Sequence, residues 1–365
     1  MSAIRDDEAV DGIVAATARY EAWLGARLDL VKADLRLKHG HMAQDRFAFF
    51  RATFYRWMQH WPRLCPDLGA GPKVLSIGDL HIENFGTWRD VEGRLIWGVN
   101  DHDEAFPLPY TQDLVRLAAS AALAARTGQL AISPEAACEA ILKGYRKGLR
   151  AGGRPFVLGE DFEWLRLIAI ADLRDPARFA SKIEALKAPR YKVPKAVAHL
   201  LDRRMPQEGL DLILRHRIAG LGSLGRRRVV ALAEWRGGLV VREAKPVIAS
   251  ACVWAQGGED ERIYFEAAVN RADRCPDPWL TVDKGWAIRR LAADSSSIEM
   301  ARLPKGQERR LLAAMGRETA NVHLASAPKG LRADLKARPA GWLPDAAHRM
   351  LGAIEADWDA WRDRG

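Results

Sequence analysis

Four polar side chains of different types lie close together in the segment SIGDLHIENFGTW, residues 76–88. They are Asp79, His81, Glu83 and Asn84. The apolar run KVLSI precedes them, which predicts a short strand that runs into a polar loop. Such a set suits a metal site, an acid–base site or an ordinary polar turn, and the neighbouring sequence has to decide between these.

A second predicted strand also ends in a carboxylate. The run GRLIWGVND reaches Asp101 and continues into the polar loop DHDEAFPLPY. Asp79, Asn84 and Asp101 together offer the oxygen ligands that Mg²⁺ combines with water and phosphate oxygens, and a carboxylate off the metal can accept a hydroxyl proton. The spacing of Asp79 and Asn84 matches the D-x-x-x-x-N of the protein-kinase catalytic loop. Taken alone, a D-x-x-x-x-N pair is more typical of an ordinary turn, with Asp79 and Asn84 as turn formers and Asp101 as a helix cap.

The segment GLGSLG, residues 220–225, fits the pattern G-x-G-x-x-G. A dinucleotide-binding fold requires a helix directly after this motif, whereas the strand-like run RRRVVALAEW follows here. A glycine loop between two strands is the kinase arrangement, in which backbone N–H groups lie over the phosphates. Gly220, Gly222, Ser223 and Gly225 are therefore candidate nucleotide-binding residues. A glycine-rich hairpin turn remains the alternative for the motif by itself.

Two cations lie on the predicted strand GLVVREAKP that follows the glycine loop. In a kinase this strand supplies the cation that holds the α- and β-phosphates. Arg242 lies within the strand and Lys245 at its end, and a period of two places them on opposite faces. The sequence leaves the choice between them open, and a solvated charge is the alternative for either residue alone.

The pattern of the remaining chain predicts an α+β fold with a segregated sheet. The predicted elements, in order, are helices over 1–62, a hairpin-like pair of strands within 73–105, helices over 111–150, strands 228–235 and 239–243 joined by Arg236-Gly237-Gly238, a helix near 259–273, strands GWAIRRLA and SSIEMARL, and helices over 306–363.

The composition places limits on the compartment and the partners. The chain has 365 residues and a net charge of +9, which suits an anionic small ligand, but it contains no recognised nucleic-acid-binding motif. The four cysteines form no CxxC pair, so a cysteine zinc site is not expected. We find no secretory signal pattern and no apolar run of about 20 residues. The expectation is a cytoplasmic protein with free thiols and no membrane partner.

Longer segments resemble a bacterial family called domain of unknown function 2252. They are DRFAFFRATFYRW, GDLHIENFGTW, GVNDHDEAFPLPYTQDLVRLAAS, and GLGSLGRRRVVAL with LVVREAKP, and they span roughly residues 45–326. This family is grouped with the protein-kinase-like fold. The resemblance implies two lobes, one large and helix-rich, the other small with an antiparallel sheet. GDLHIEN is also similar to the HGDLHxxN loop of aminoglycoside and choline kinases, and NDHDEA to their IDWxxA metal loop.

The resemblance implies a role for each matching residue. Asp79 would be the catalytic base. Asn84 and Asp101 would bind Mg²⁺. Apart from the resemblance, Asp103 and Glu104 could extend the metal site, and Asp103 is the preferred candidate because it lies two residues from Asp101. Asp113, in QDLVRLA, resembles the structural aspartate of the DLA segment in those kinases.

The sequence departs from the kinase pattern at two positions. Ile77 stands where the loop usually has a histidine, and Arg242 where many relatives have a lysine, with Lys245 as the alternative cation. A helix of the small lobe is expected to offer a glutamate to the strand cation, and Glu266 is the candidate.

The order of the motifs implies a circular permutation. The catalytic loop near Asp79 precedes the glycine loop, and MGRETANVHLAS, residues 315–326, resembles the helix that comes before the catalytic loop in small-molecule kinases. A circular permutation requires only that the original chain termini are joined and that the chain is broken at a new position on the surface. The expected division is N-terminal helices at 1–62, the catalytic half of the large lobe at 63–210, the small β lobe at 211–304, and C-terminal helices on the large lobe at 305–365.

The function that these features predict is phosphoryl transfer from ATP with Mg²⁺ to a hydroxyl of an unidentified, small-molecule acceptor. AMP transfer by the same site is the alternative chemistry. A nucleotide-binding pseudokinase is the alternative without turnover. The sequence identifies neither the acceptor nor the oligomeric state.

Overall fold

The computed structural model describes residues 11–171, 175–295, 300 and 303–364. Helices and small antiparallel sheets make up this part of the chain, which confirms the predicted α+β class. The strand predicted at SSIEMARL, residues 296–303, lies mostly outside the described residues. Within the described part, every helix is too short or too polar to serve as a membrane-spanning segment.

Five helices at the start of the described chain bury an aromatic stripe. They are α1 (Ile13–Gly25), α2 (Lys32–Gln44), α3 (Arg46–Ala52), α4 (Phe54–Leu64) and α5 (Pro66–Gly69). Asp45 begins α3, because its carboxylate accepts a hydrogen bond of 2.6 Å from Ala48 N. Phe50 and Trp57 are fully buried, as expected for a core stripe.

Five short strands follow in two antiparallel sheets. They are β1 (Lys73–Ser76), β2 (Phe85–Arg89), β3 (Leu95–Val99), β4 (Phe106–Pro109) and β5 (Phe156–Val157). The predicted pairing of the strands before Asp79 and Asp101 is wrong: β1 pairs with β4, and β3 lies between β2 and β5. The reason is a tight turn at Asp90, which accepts hydrogen bonds from Glu92 N and Arg94 N and joins β3 to its neighbour β2.

Helix α6 (Tyr110–Arg126) runs through the centre of the core. All its residues from Tyr110 to Ala124 are buried, which suits its alanine-rich sequence. Asp113 and Arg116 are its only charged residues in this stretch, and both are fully buried. Four further helices follow: α7 (Pro134–Ala151), α8 (Glu163–Ala171), α9 (Pro176–Glu184) and α10 (Lys195–Arg203).

A five-stranded antiparallel sheet carries the glycine loop. Its strands are β6 (Ile213–His216), β7 (Val229–Trp235), β8 (Gly238–Pro246), β9 (Thr281–Asp283) and β10 (Trp286–Leu291), in the order β6-β7-β8-β10-β9. The predicted hairpin is confirmed, because β7 and β8 meet at Arg236 and Gly237, which both have positive φ angles. Two short helices, α11 (Ala251–Ala255) and α12 (Phe265–Arg271), lie between β8 and β9.

The last helices return to the core beside β1. They are α13 (Glu308–Leu324), α14 (Leu331–Ala337) and α15 (Trp342–Arg362). Two glycines let α13 pack against α7 with almost no gap: a Cβ at Gly144 would lie 1.8 Å from Ala313 O, and one at Gly316 would lie 2.1 Å from Ile141 O. After α13, Ser326 accepts a hydrogen bond of 2.7 Å from the backbone N–H of Leu75 in β1.

Candidate active site

The loop after β1 is anchored by a buried carboxylate. Asp113 accepts hydrogen bonds from Ile77 N at 2.8 Å and Gly78 N at 2.9 Å. The same carboxylate is bonded to His323 Nε2 at 3.0 Å, and Tyr145 holds the other ring nitrogen. Gly78 has φ of +82°, a conformation that glycine adopts without strain. This turn directs the next residue, Asp79, away from the core.

Asp79 uses one carboxylate oxygen for an ion pair. Arg116 Nη2 and Nε donate to Oδ1 at 2.7 and 3.0 Å. The Arg116 guanidinium is fully buried and lies 3.7 Å from the ring centroid of Phe50 and 4.7 Å from that of Trp57. Burial raises the pKa of Asp79 against the opposing charge of Arg116. The second oxygen, Oδ2, faces the glycine loop.

Asn84 is hydrogen-bonded to the backbone of Asp79 within the loop after β1. Its Nδ2 donates to Asp79 O at 2.7 Å, which leaves its Oδ1 as the acceptor oxygen toward the cavity. Its backbone oxygen accepts from Asn100 N at 2.9 Å and so ties the loop to the end of β3. His81 Nδ1 accepts from Glu83 N, and burial lowers the pKa of His81, so this histidine is a neutral part of the loop.

Lys245 lies between the two carboxylates that follow β3. Its Nζ is 3.2 Å from Asp101 Oδ1 and 2.7 Å from Asp103 Oδ1. Burial opposes the charge on Asp101, but Lys245, Arg289 and Arg228 outweigh it and hold the pKa of Asp101 below its usual value. Lys245 is buried on the strand, so its ammonium is fixed at this position.

Three arginines converge on a buried glutamate next to this lysine. Glu243 is two residues before the lysine, on the same face of β8, and it is fully buried. It accepts hydrogen bonds from Arg217 at 2.5 Å and from Arg228 and Arg289 at 2.8 Å each. Burial opposes its charge, but the three guanidinium groups hold the pKa of Glu243 well below its usual value. Since three cations share one carboxylate, this face of the sheet has an excess of positive charge.

The glycine loop connects the sheet to Asp79. Gly220 and Gly225 have φ of +72° and +102°, so the loop requires glycine at both positions. A Cβ at Gly222 would lie 3.7 Å from Asp79 Oδ2, which places the middle of the loop against the free carboxylate oxygen. Ser223 Oγ accepts a hydrogen bond of 2.8 Å from Arg228, one of the three arginines on Glu243.

Two candidate residues lie away from this cluster. Arg242 is on the opposite face of β8, where its Nε donates to Arg204 O at 2.8 Å and its guanidinium lies over the ring of Trp279. Glu266, in α12, is exposed. The structure therefore places Lys245 next to the carboxylates of Asp101 and Asp103. Arg242 and Glu266 lie elsewhere.

The groups brought together surround a small cavity of about 40 Å³. Pockets that bind small molecules usually measure about 300–1,000 Å³, so the cavity as it stands is too small for a ligand of that size. The cavity is lined by Tyr20, Arg51, Ala52, Phe54, Tyr55, Ile77, Asp79, Asn84, Asp101, Asp103, Glu104, Gly222, Ser223 and Arg226.

The N-terminal helices hold the glycine loop in this closed position. Lys38, in α2, donates to Gly222 O at 3.2 Å, and Val31 N donates to Gly225 O at 2.7 Å. Burial lowers the pKa of Lys38 to about 8. The contact between α2 and the loop is therefore made by a buried cation whose charge is only weakly favoured.

Glu104 is the fourth carboxylate of the cavity. It accepts hydrogen bonds from Ser250 Oγ at 2.9 Å and Ala251 N at 2.6 Å, at the start of α11. Burial raises the pKa of Glu104 to about 7, against the opposing charge of Arg226. It is therefore partly protonated near neutral pH and fixed by the small helix.

The donor set suits a magnesium ion that arrives with a nucleotide. Within the described ranges, no three His, Cys, Asp or Glu side chains form a ready-made metal cage. Mg²⁺ usually takes one or two protein carboxylates and completes its shell with water and substrate phosphates. Asp101, Asp103 and Asn84 Oδ1 offer two carboxylates and an amide oxygen. Asp103 Oδ2 accepts no hydrogen bond from a described residue.

Three residues of the site have no counterpart among the sequence-based candidates. Arg116 holds Asp79, Lys38 holds the glycine loop, and Arg226 lines the cavity directly after that loop. Arg116 has a recognisable signal, because it lies one helical turn after Asp113 in an otherwise uncharged segment. Arg226 is the first residue of the run RRR, which by itself is typical of a solvated surface.

Comparison with known families agrees with the resemblance noted from the motifs. A family described as an uncharacterized protein conserved in bacteria, DUF2252, matches residues 30–161 and 166–364. The chain belongs to this family. No curated protein and no solved structure is significantly similar to it. Membership of DUF2252 therefore identifies relatives but assigns no activity.

Proposed function

We propose that this DUF2252 protein is a phosphotransferase that uses ATP and Mg²⁺ and acts on a hydroxyl group of a small molecule. The observation that carries the proposal is the convergence of three distant stretches of the chain on one cavity. Asp79 and Asn84 come from the loop after β1, Asp101 follows β3, and Gly222 belongs to the glycine loop before β7. Lys245 of β8 pairs with Asp101 beside this cavity. The alternative explanations of these motifs are a polar turn, a helix cap and a hairpin turn. None of them explains why the three segments lie next to one another.

Bound ATP with Mg²⁺ would supply the phosphoryl group: the acceptor oxygen would bond to the γ-phosphorus while the bond from that phosphorus to the β-phosphate oxygen breaks, and ADP would leave. Asp79 Oδ2, the oxygen not used by Arg116, accepts the proton of the attacking hydroxyl. Burial favours this role because it raises the pKa of Asp79 and makes the carboxylate a stronger base. Asn84, Asp101 and Asp103 are the oxygen ligands for the metal, and Asp79 itself stays free to orient the acceptor.

The charged face of β8 neutralises the phosphates. Lys245 is fixed between Asp101 and Asp103, and its ammonium has three donors, so it can bond a phosphate oxygen as well as a carboxylate. The arginines around Glu243 add positive charge behind it. Fixed cations in a closed cavity stabilise developing negative charge without reorganising during the reaction.

We also infer a circularly permuted, protein-kinase-like architecture. Two contacts support it. The helix after residue 307, α13, lies beside β1 through Ser326 and Leu75, and its His323 bonds Asp113 under the loop that bears Asp79. The helix that precedes this loop in ordinary kinases would occupy such a place. A crystal structure with a bound ATP analogue whose phosphates lay away from residues 220–225 would contradict this arrangement.

Labelled ATP tests the chemistry. Purified protein is incubated with a bacterial metabolite extract and ATP labelled at the γ-phosphate or the α-phosphate. We expect a γ-labelled product, at least 100-fold less of it with Asp79→Asn, and an unchanged amount with Glu266→Gln. An α-labelled product would instead assign AMP transfer to the same site. ATP binding with no labelled product from any extract would assign a pseudokinase.

A further inference from the structure

Arg226 places a positive charge inside the cluster of cavity carboxylates. It follows the glycine loop directly, and its side chain is only 7% exposed. Its Nη1 lies 3.9 Å from Asp103 Oδ2 and its Nη2 lies 3.5 Å from Glu104 Oε1. Asp79 and Asp101 line the same cavity. The guanidinium is therefore paired with Asp103 and Glu104 in a cavity that two further carboxylates line.

The bonding of Arg226 differs from that of a structural arginine. Buried arginines are normally fixed by several hydrogen bonds in the plane of the guanidinium. Arg116 has this form, with two bonds to Asp79 and one to Phe50 O. The Nε and Nη1 groups of Arg226, in contrast, donate no hydrogen bond to any described residue. The side chain is confined by the contact of Nη2 with Glu104 and by a hydrogen bond with Tyr20, yet two of its three donor nitrogens are left for another acceptor.

The backbone of Arg226 is bonded to the glycine loop. Its N–H donates to Ser223 O at 3.1 Å, and it forms a bridge with Leu30 beside α2. A movement of the loop that enlarged the 40 Å³ cavity would therefore also shift the guanidinium relative to Asp103 and Glu104.

We propose that Arg226 is the resident counter-cation of these carboxylates, that a divalent metal displaces it, and that the displaced guanidinium then binds the polyphosphate of the nucleotide. This inference rests on the proposed function for its second half, whereas the competition with metal stands on the geometry alone. Two cations at one carboxylate pair repel each other, so Arg226 weakens the binding of free metal. Its planar fork fits phosphate oxygens in pairs, so the same residue strengthens the binding of the metal–nucleotide complex.

The test measures two affinities that move in opposite directions. Mn²⁺ alone and Mn²⁺ with ATP are titrated into the wild type, Arg226→Met and Arg226→Lys by calorimetry. For Arg226→Met we expect at least tenfold tighter binding of Mn²⁺ alone and at least tenfold weaker binding of Mn²⁺–ATP. Arg226→Lys keeps the charge and loses the fork, so its Mn²⁺ affinity stays near that of the wild type while its Mn²⁺–ATP affinity is intermediate.

Arg227→Met is the matched control, because Arg227 is the adjacent arginine and pairs with Asp29 outside the cavity. It should leave both affinities within twofold. Equal or weaker Mn²⁺ binding by folded Arg226→Met, or no Mn²⁺ binding by either protein, would overturn the counter-cation role. Unchanged Mn²⁺–ATP affinity would overturn the phosphate role. A wild type that binds Mn²⁺ but no ATP would overturn the proposed function and the phosphate role, and the Mn²⁺ titration would then decide the counter-cation role by itself.

Discussion

The two faces of β8 carry cations in very different surroundings. On one face Lys245 meets Asp101 and Asp103, and Glu243 gathers three arginines beside the glycine loop. On the other face Arg242 bonds a backbone carbonyl and covers the ring of Trp279, away from the cavity. The strand thus separates a charged side, paired with two of the cavity carboxylates, from a packing side within four residues.

This difference shows why residue type alone does not identify a ligand-binding cation. Lys245 is held by carboxylates of the kind that bind metal ions, and its ammonium is of the kind that binds phosphate, whereas Arg242 is satisfied by a backbone carbonyl and the ring of Trp279. On the charged side of β8, each charged group is neutralised by a buried partner, so the loss of one leaves another unpaired. On the packing side, the contacts of Arg242 are to a backbone carbonyl and a ring, and their loss leaves no charge unpaired. Changes on the first side should alter folding or binding strongly, and matched changes on the second should alter them little.

The largest effect is expected at Glu243. Replacement of Glu243 by Gln leaves Arg217, Arg228 and Arg289 without their shared carboxylate, and a buried charge that loses its partner costs about 3–5 kcal/mol. Unfolding in guanidinium chloride should show that the free energy of unfolding falls by this amount. Glu234→Gln, at an exposed position on β7, should change the free energy of unfolding by less than about 0.5 kcal/mol. Equal stability of the two variants would remove the basis for a charged face.

The next effect concerns nucleotide affinity. Lys245→Met should weaken the binding of ATP–Mg²⁺ by about 30- to 100-fold, or 2–3 kcal/mol, because a fixed ammonium is lost beside the metal carboxylates. Arg242→Met should stay within twofold of the wild type. Calorimetry measures both. The reverse ranking would assign the phosphate cation to Arg242 and break the distinction between the two faces.

A third effect appears in the pH dependence of stability. Burial lowers the pKa of Lys38 from 10.5 to about 8 in the folded protein. Between these two pH values the unfolded chain holds a proton that the folded chain has lost, so stability rises with pH. Relative to Lys38→Met, the wild type should gain about 2 kcal/mol between pH 7 and pH 10. A difference that stays constant over this range would show that the lysine beside Gly222 is not a strained buried cation.

The smallest effect is expected in the glycine loop. A methyl group at Gly222 would lie 3.3 Å from Arg51 O and 3.7 Å from Asp79 Oδ2, and the backbone there has no positive φ. Gly222→Ala should therefore fold normally and weaken ATP–Mg²⁺ binding by about fivefold, or 1 kcal/mol. Gly352→Ala, in α15 with open space around it, should leave the affinity unchanged. Full ATP affinity of Gly222→Ala would mean that the loop does not lie over the phosphates.

Much of the fold follows from local patterns in the sequence. The hairpin of β7 and β8 is predictable because its turn residues and its alternation lie next to each other in the chain. The pairing of β1 with β4 is not, because it depends on contacts across the loop that bears Asp79 and on the turn at Asp90 that commits β3 to β2. Strand register between distant segments is set by packing, which a single sequence does not display.

The site shows the same division. Asp79, Asn84 and Asp101 are recognisable because their spacing follows two apolar strands. Period-two alternation separates Lys245 from Arg242, yet it does not say which face of the sheet meets Asp101. Arg226 gives no local signal at all, since its position depends on the path of the glycine loop around α2. The sequence does not reveal the partners of a residue whose contacts come from distant parts of the chain; the structure does.

The most direct test of the account is the binding of ATP–Mg²⁺ to the wild type and to Asp101→Asn, each with and without EDTA, followed by calorimetry. The central claim is that Lys245 of β8, Asp101 after β3 and Asp79 after β1 form one site for a nucleotide and its metal ion. It predicts micromolar to millimolar binding by the wild type, at least tenfold weaker binding with EDTA, and no further effect of EDTA on Asp101→Asn. Equal affinity of the two proteins, or no binding by the wild type at millimolar ATP, would contradict it.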